Sequence, residues 1–444
     1  MKTHVKRQLI AIVFLLSGIP LHAQWEPVME NVLIVDITVS PDFSNDETVF
    51  VINDQIEIYR STDNGDEWQM VYQALDPYID AEKVLDVVLS TDFKNDNRVI
   101  IVHLDGSAEA SYDRGETWEN QPVPAGTTSV IFSPDYTNDH TVYAATGASY
   151  ACKFYRSVDK GKTWAETAIL GNTGIYTRLF NSADPASSLT LAIQSGMNEV
   201  LLSDDGGYNW TSASDDFTTV WDVAYSGNFS QDHTLFLSTA RKIYKNTESG
   251  SYFAWTETYH NESSFGIDLA ISPAFFQDHT LYAGIDQQGI YRSVDGGDTW
   301  TAFNSGLDSY YPVSLAIGGS GPIFSLFTGT QNPGGLPDRL WRYRMVDAVE
   351  EHPRENPFDL TVLQSPSANT PELILQVDKT EMITISIISL SGKMIKTITE
   401  KLYTPGTYTF RDDNSLADLP GGLFLIRATS GTYSLVRKAV LFVD

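Results

Sequence analysis

Cysteine is nearly absent from this chain of 444 residues, with Cys152 as the single example. One thiol excludes internal disulfides, thiolate-bound zinc and iron–sulfur clusters. A lipid-modified cysteine at the start of the mature chain is excluded as well, because the expected first residue, Gln24, is a glutamine. A glycine-rich phosphate loop and a zinc-protease spacing are also missing, so we expect no cofactor and no metal.

Basic residues are scarce too, with 29 lysines and arginines against 57 acidic residues. Most of the imbalance lies in residues 24–356, where 48 acidic and 18 basic residues leave a net charge of −30. A body this acidic repels phosphate backbones, so nucleic acid is not an expected partner. Cations and neutral ligands such as sugars remain compatible with it.

Long apolar stretches are missing beyond the first residues of the chain. The opening segment, MKTHVKRQLIAIVFLLSGIPLHA, combines a basic start, a short apolar core and a small-residue end. This pattern predicts a signal peptide over residues 1–23, since the apolar core is too short for a stable membrane span. We therefore expect an exported protein with no transmembrane helix in its mature chain.

What the chain does contain is one short motif, Ser-x-Asp-x-Gly-x-x-Trp, written repeatedly. The full copies consist of Ser61, Asp63, Gly65 and Trp68; Ser111, Asp113, Gly115 and Trp118; Ser157, Asp159, Gly161 and Trp164; Ser203, Asp205, Gly207 and Trp210; and Ser293, Asp295, Gly297 and Trp300. A degenerate copy begins at Asn246, and successive copies start 43–50 residues apart. Each interval holds four β-rich runs, and this period predicts the blades of a β-propeller.

The motif falls at the turn between the third and fourth runs of each unit. Short Ser and Asp side chains bond local backbone N–H groups there, Gly tolerates a positive φ, and Trp packs back on the sheet. Turn chemistry therefore explains every motif residue. The alternative, that each copy carries out chemistry, requires the same reaction at every blade of a ring.

These residues resemble the Asp-box (BNR) repeats of the sialidase and sortilin-like superfamily, and the resemblance covers residues 25–345. It implies an all-β chain in which residues 24–345 form a seven-bladed β-propeller with ligands bound on the face away from the boxes. Six blades follow from the motif copies. Residues 311–345 supply three strands of the last blade, and we expect Trp25 to open the strand that completes it.

The remaining residues divide into a linker and a second domain. Residues 346–357 are polar with two prolines, which is typical of a linker. Residues 358–444 alternate apolar positions with turn residues, which predicts a small immunoglobulin-like β-sandwich. Its phrases ISLSGKMIK (388–396), LPGGLFLIR (419–427) and VRKAVLF (436–442) resemble the type A sorting domain of the type IX secretion system.

The resemblance implies that this tail engages the secretion machinery. The protein is then expected to be secreted or displayed on the outer-membrane surface of a Gram-negative bacterium. A generic immunoglobulin-like accessory module is the alternative for the tail.

One position of the repeat varies in chemistry. Four residues before the serine of a second recurring motif, which begins as SPDF at Ser40, the first strand of each unit carries Asp36, Asp86, Ser129, Arg178, Asp222 or Asp268. Alignment of SLAIG with DLAIS adds Ser314 from the last unit. We expect this set near the mouth of the central channel, opposite the boxes. The catalytic candidates are Asp36, Asp86, Asp222 and Asp268, because two carboxyls of different pKa form a glycosidase acid–base pair. Alternatively, each Asp caps its strand through backbone bonds.

The ligand-binding candidates are Arg178, Tyr78, Trp221, Tyr310 and Tyr311, since aromatic faces stack on sugar rings. Aromatic residues that merely fill gaps between blades are the alternative. No complete catalytic set is present, and the Arg-Ile-Pro phrase of sialidases is absent. We therefore expect a non-catalytic binding module for glycans or protein partners. The alternatives are a sialidase-like or xyloglucanase-like glycoside hydrolase and an adhesion scaffold with a shallow mouth.

Overall fold

The structure of the protein is a computed structural model. It describes residues 24–74, 84–147, 152–171, 177–187, 190–194, 199–214, 217, 220–248, 254–262, 266–320, 323–345, 358–363, 372–377, 379–388, 394–410, 422–430 and 433–441. The expected signal peptide and linker lie outside these residues. Within them nearly all of the regular secondary structure is antiparallel β-sheet.

Six sheets in the first part of the chain consist of four consecutive strands each. The first three sheets contain β2 (Ile34–Val39), β3 (Val49–Asn53), β4 (Glu57–Ser61) and β5 (Gln69–Gln73); β6 (Val84–Leu89), β7 (Val99–His103), β8 (Ala108–Ser111) and β9 (Glu119–Asn120); and β10 (Thr127–Phe132), β11 (Val142–Thr146), β12 (Cys152–Ser157) and β13 (Ala165–Gly171). The next three contain β14 (Thr177–Asn181), β15 (Thr190–Gln194), β16 (Glu199–Ser203) and β17 (Thr211–Ser214); β18 (Val220–Tyr225), β19 (Leu235–Thr239), β20 (Lys242–Asn246) and β21 (Thr256–His260); and β22 (Ile267–Ile271), β23 (Leu281–Ile285), β24 (Gly289–Ser293) and β25 (Thr301–Ala302).

A further four-stranded sheet joins the two ends of this region. It has the order β1-β28-β27-β26, with β1 (Glu26–Glu30), β26 (Pro312–Ser320), β27 (Ile323–Thr330) and β28 (Arg339–Met345). Trp25 lies one residue before the closing strand, is 2% exposed, and donates its indole N–H to the Phe303 carbonyl at 2.8 Å. β1 pairs with β28 and completes the fourth strand of this sheet.

The first strands of the seven sheets lie side by side around a central channel. β2 contacts β6, β6 contacts β10 and β10 contacts β14; β18 contacts β22, β22 contacts β26, and β26 contacts β2 again. Hydrophobic clusters fill the spaces between successive sheets, as where Phe50 of one sheet meets Phe93 beside the next at 6.4 Å between ring centroids. The core is therefore a set of inter-sheet layers arranged around the channel.

One-turn helices follow five of the first strands. They are α1 (Phe43–Asp46), α2 (Phe93–Asp96), α3 (Tyr136–Asp139), α4 (Phe229–Asp232) and α5 (Phe275–Asp278). In α1 the Ser40 hydroxyl donates to Asp46 at 2.9 Å, and Asp46 accepts the N–H of Thr48 at 3.0 Å. The second recurring motif is therefore a helical turn between the first and second strands.

Two more sheets occupy residues 358–441. One has the order β29 (Phe358–Leu363), β30 (Glu372–Val377) and β33 (Gly406–Phe410); the other has the order β32 (Met394–Tyr403), β31 (Glu381–Ile388), β34 (Gly422–Ser430) and β35 (Tyr433–Leu441). Buried side chains of both sheets form one cluster, which includes Leu360, Leu375, Ile385 and Ile426. The two sheets thus share a core of their own.

Candidate functional site

A cavity of about 490 Å³ lies where the seven first strands meet, and residues from all of them line it. We call the repeat position described above the channel ring: Asp36, Asp86, Ser129, Arg178, Asp222, Asp268 and Ser314. Five of its members line the cavity, namely Asp36, Asp86, Arg178, Asp268 and Ser314. Asp222 and Ser129 belong to the same ring position without lining the cavity.

The residue before each ring residue also faces the cavity in most sheets, and the reason is a β-bulge. The register between the first and second strands shifts by one residue at five positions, which we call the rim: Val35, Leu85, Thr128, Trp221 and Val313. In a regular strand, neighbouring side chains point to opposite faces, whereas a bulge re-aims one of them. Val35 and Asp36 therefore both line the cavity. Sequence analysis named Trp221 of the rim as a ligand-binding candidate and missed the other four rim residues.

Some ring side chains bond the neighbouring sheet. Asp222 accepts the N–H of Leu269 at 2.9 Å, and Asp268 accepts the N–H of Leu315 at 3.2 Å. Ser129 accepts the N–H of Leu179 at 3.2 Å in the same way. In each case the donor follows the ring residue of the next sheet. These ring side chains therefore link their own sheet to the next one.

Arg178 is the one cation of the channel ring. Its side chain is solvent-accessible through the cavity, and residues of the other first strands surround it. Burial alone lowers its pKa, but the carboxylates of Asp86, Asp222, Asp36 and Asp268 outweigh this effect and the pKa is raised. Its guanidinium also lies 5.1 Å from the Phe180 ring centroid. Arg178 therefore compensates the acidic ring around it.

The ring carboxyls hold their protons unusually tightly. Burial raises the pKa of Asp86 to about 7, against the opposing attraction of Arg178. Burial, with repulsion from Asp222, raises the pKa of Asp268 to about 8. Burial also raises the pKa of Asp36, whose carboxylate bonds Ser314. Four acids share one guanidinium, so the ring carries fewer negative charges near neutral pH than its composition suggests.

Trp221 is the most exposed aromatic residue at the cavity. It is 44% exposed and packs against Gly266, where an added Cβ would lie 2.9 Å from the indole. Tyr310 is 49% exposed and Tyr311 half-buried on the segment before β26, outside the cavity lining. Tyr78 lies outside the described residues. Of the four ligand-binding candidates that the structure describes, Arg178 and Trp221 line the cavity.

The Ser-Asp-Gly turns lie at the other end of the sheets. Ser61 pairs with the start of β3, whereas Asp36 pairs near its end. The Ser61 hydroxyl accepts the Gly65 N–H at 2.7 Å and donates to Asp63 at 2.7 Å. Asp63 in turn accepts the N–H of Glu67 at 2.9 Å. The same bonds recur in the other full copies, as in the turn that begins at Ser157.

A cross-sheet contact accompanies these turns. The residue before the motif reaches the sixth motif position of the next sheet: Arg60 contacts Glu116 at 2.6 Å, Arg156 contacts Tyr208 at 3.0 Å, and Lys245 contacts Asp298 at 3.7 Å. Arg342 of the closing sheet contacts Asp66 at 2.8 Å in the equivalent way, and Glu26 of β1 at 2.7 Å. We call these contacts the clasps. Sequence analysis did not identify them, although their spacing is regular.

Within the described residues, no group of three or more His, Cys, Asp or Glu side chains is arranged to hold a metal ion. His140, His233 and His279 each end a one-turn helix in the left-handed conformation, with φ of 52°, 53° and 51°. They occupy equivalent places in different sheets. The described part of the chain also contains no helix long and apolar enough to cross a membrane.

No protein-family profile and no curated protein sequence matches this chain. Among solved structures, it is similar to the GH74 xyloglucanase from Xanthomonas campestris, with a TM-score of 0.51, 15% identity, and coverage of 80% of this chain and 59% of that one. The GH74 enzyme from Niastella koreensis gives a TM-score of 0.51, 13% identity, and coverage of 93% and 67%. The structure of YCF48 bound to D1 peptide gives a TM-score of 0.49 and 17% identity, with coverage of 72% of this chain and 96% of that one. The two GH74 structures confirm the predicted β-propeller fold. The chain spans about three fifths of the length of the Xanthomonas enzyme.

Proposed function

We propose that this chain is an exported binding protein whose seven-bladed propeller recognises a glycan or a protein partner at the channel mouth. The observation that carries the proposal is the cavity at the meeting point of the seven first strands, which combines an exposed Trp221 with the charged group of Arg178. A pocket with an apolar rim and a few convergent polar groups is the usual form of a ligand site.

The count of seven blades is supported by the seven four-stranded sheets of residues 26–345. Closure by β1 and the contact of β26 with β2 support a complete ring. The Asp-box assignment is supported by the repeated Ser and Asp bonds within each turn.

Binding without catalysis is favoured by the way the ring uses its acids. Asp222 does not line the cavity, and both it and Asp268 already accept backbone N–H groups of the next sheet. A glycosidase needs two carboxyls free to act on the substrate, one as acid and the other as base or nucleophile. The ring therefore offers fewer free carboxyls than the sequence suggests.

A glycoside hydrolase is the second candidate, and one observation favours it. Asp86 lines the open cavity and its pKa is raised to about 7, so its carboxyl is available as a proton donor near neutral pH. Asp36 lines the same cavity and would be its partner.

Export is proposed from the sequence alone. Residues 1–23 would act as the signal peptide, and residues 358–444 would direct passage through a type IX secretion system to the medium or the outer-membrane surface. The two-sheet arrangement with its own core supports the treatment of residues 358–444 as a separate domain.

The test is to incubate the purified protein with polysaccharides and artificial glycosides and to record binding and product release together. Binding without release is the expected result. Release that is lost in Asp86→Asn and kept in the box variant Asp113→Asn would instead establish the hydrolase. Absence of both binding and release across glycans and peptides would overturn ligand recognition at the mouth.

A further inference from the structure

We propose that the channel mouth takes a neutral, polyhydroxylated ligand, that is, a non-acidic glycan, with one sugar ring stacked on Trp221. The inference rests on the proposed binding function and names the ligand class. It is argued from the position of Trp221, the mixture of donors and acceptors in the channel ring, and the charge of the whole body.

The indole of Trp221 is held in place and still open to a ligand. The bulge in β18 turns it into the cavity, while one side packs against Gly266. A side chain at Gly266 would collide with the indole, so the missing Cβ makes room for the aromatic ring. With 44% of its surface exposed, the indole offers a π face to the C–H face of a sugar.

Below Trp221 the cavity contains both hydrogen-bond donors and acceptors. Arg178 donates only, whereas ionised carboxylates accept only. Asp86 and Asp268 retain protons near neutral pH because burial raises their pKa values, so their carboxyls both donate and accept. Sugar hydroxyls, which donate and accept as well, match such a mixture better than a group of fixed charge.

Charged ligands fit the same site poorly. The net charge of −30 on residues 24–356 repels uronic acids and other anions during approach. A lysine or arginine side chain entering the cavity meets Arg178, and protonation of Asp86 and Asp268 weakens its attraction to the ring. A neutral ligand avoids both penalties.

The volume and lining of the cavity agree with a bound sugar unit. Its volume of about 490 Å³ lies within the usual range of small-ligand sites. The rim residues Val35 and Val313 are 41% and 36% exposed, and they offer apolar contact to C–H groups above the polar ring. The ligand would therefore meet apolar groups at the entrance and polar groups at depth.

The experiment measures binding of the purified full chain to four immobilised probe classes. These are neutral oligosaccharides, uronic-acid oligosaccharides, amino-sugar oligosaccharides, and lysine- and arginine-rich peptides. We expect binding to members of the neutral class alone. Trp221→Ala should weaken it at least about tenfold, and Trp221→Phe should restore most of the loss because it keeps an aromatic face.

Phe276→Ala is the matched control, because Phe276 is an aromatic residue 54% exposed on α5, at the box end of the sheets. It should bind as the unchanged protein does, and thermal melting establishes that each variant is folded. Peptide or uronic-acid binding that depends on Trp221 would overturn the neutral-glycan class while leaving ligand recognition intact. Neutral-glycan binding unaffected by Trp221→Ala would refute the site. Failure of every probe class would count against the proposed function itself.

Discussion

The box turns and the channel ring place aspartates at opposite ends of the same sheets, and the two sets behave in opposite ways. Asp205 of a box accepts the N–H groups of Asn209 and Tyr208, and these bonds lower its pKa to about 2. Asp268 of the ring has its pKa raised to about 8 by burial and by its neighbour Asp222. The residue type is the same, so the surroundings determine whether the pKa is lowered or raised.

One repeat therefore gives aspartate two different roles. An exposed aspartate that accepts several local bonds stabilises a turn and has no proton to give near neutral pH. An aspartate crowded with other acids around one cation retains a proton and lies next to open space. The first arrangement suits a structural part made in many copies, and the second suits a single site.

The largest expected effect on stability comes from removal of the ring cation, which tests the difference between the two ends of the sheets. Arg178→Met leaves four acids without compensation, and we expect a loss of about 2–3 kcal/mol in unfolding free energy, below the range for fully buried pairs because water reaches the guanidinium. The loss should be greater at pH 9 than at pH 6, since the carboxyls ionise as pH rises. Urea denaturation at both pH values measures it.

Arg156→Met is the control, because Arg156 makes a clasp contact at the box end. Its cost should be smaller and nearly independent of pH between these values. Equal losses for the two variants at both pH values would show that the ring charge has no special role.

The next effect tests the buried part of a box turn. Ser157 is 1% exposed, accepts the Gly161 N–H at 2.8 Å and donates to Asp159 at 2.7 Å. Ser157→Ala leaves that N–H unsatisfied and should cost about 1–2 kcal/mol. Ser107→Ala removes a similar but exposed bond to Asp105 and should cost much less. A smaller loss for Ser157 than for Ser107 in urea titrations would contradict the role given to the buried hydroxyl.

A third prediction concerns the pH dependence of the ring. The folded pKa of Asp268 is about 8, above its unfolded value of 3.8, so its contribution to stability is full below pH 4 and is lost as pH rises through 8. Asp268→Asn keeps an oxygen for the Leu315 N–H and cannot ionise. At pH 9 the variant should be more stable than the unchanged protein by about 1–2 kcal/mol. A lower stability of the variant at pH 9, read from thermal or urea unfolding, would reverse the sign and refute the raised pKa.

The smallest effect has the opposite sign. Asp205 contributes stability above its unfolded pKa, and that contribution disappears as pH falls through about 2. Because the side chain is exposed, Asp205→Asn should cost well under 1 kcal/mol at pH 7, and the difference should shrink further at pH 3. A large loss at pH 7 would mean that the box carboxylate does more than hold its turn.

Much of the architecture was predictable because the same sequence pattern recurs in successive units of the chain. The period of 43–50 residues gives the sheets, and the missing fourth strand of the last sheet points to the N-terminal segment. The structure starts that strand at Glu26, with Trp25 buried just before it. The ring position was also visible, since one column of the repeat is mostly acidic and contains Arg178.

The rest of the site depends on strand pairing and on contacts between sheets, which an alignment of the repeats does not show. The bulges at Val35 and Trp221 arise from strand pairing, and they turn the residue before the ring into the cavity. The bonds from Asp222 and Asp268 to the next sheet depend on how strands meet across the channel. The clasps likewise join residues more than fifty positions apart, such as Arg60 and Glu116.

The closing sheet has a consequence for the order of folding. β1 pairs with β28 across most of the chain, and the contact of Glu26 with Arg342 spans 316 positions. Contacts of such long range are slow to form, and this one cannot form before Arg342 has been synthesised. Until residues 339–345 are present, β1 has no partner strand in this sheet. The sheet that joins the two ends of residues 26–345 is therefore the one whose strands lie farthest apart along the chain.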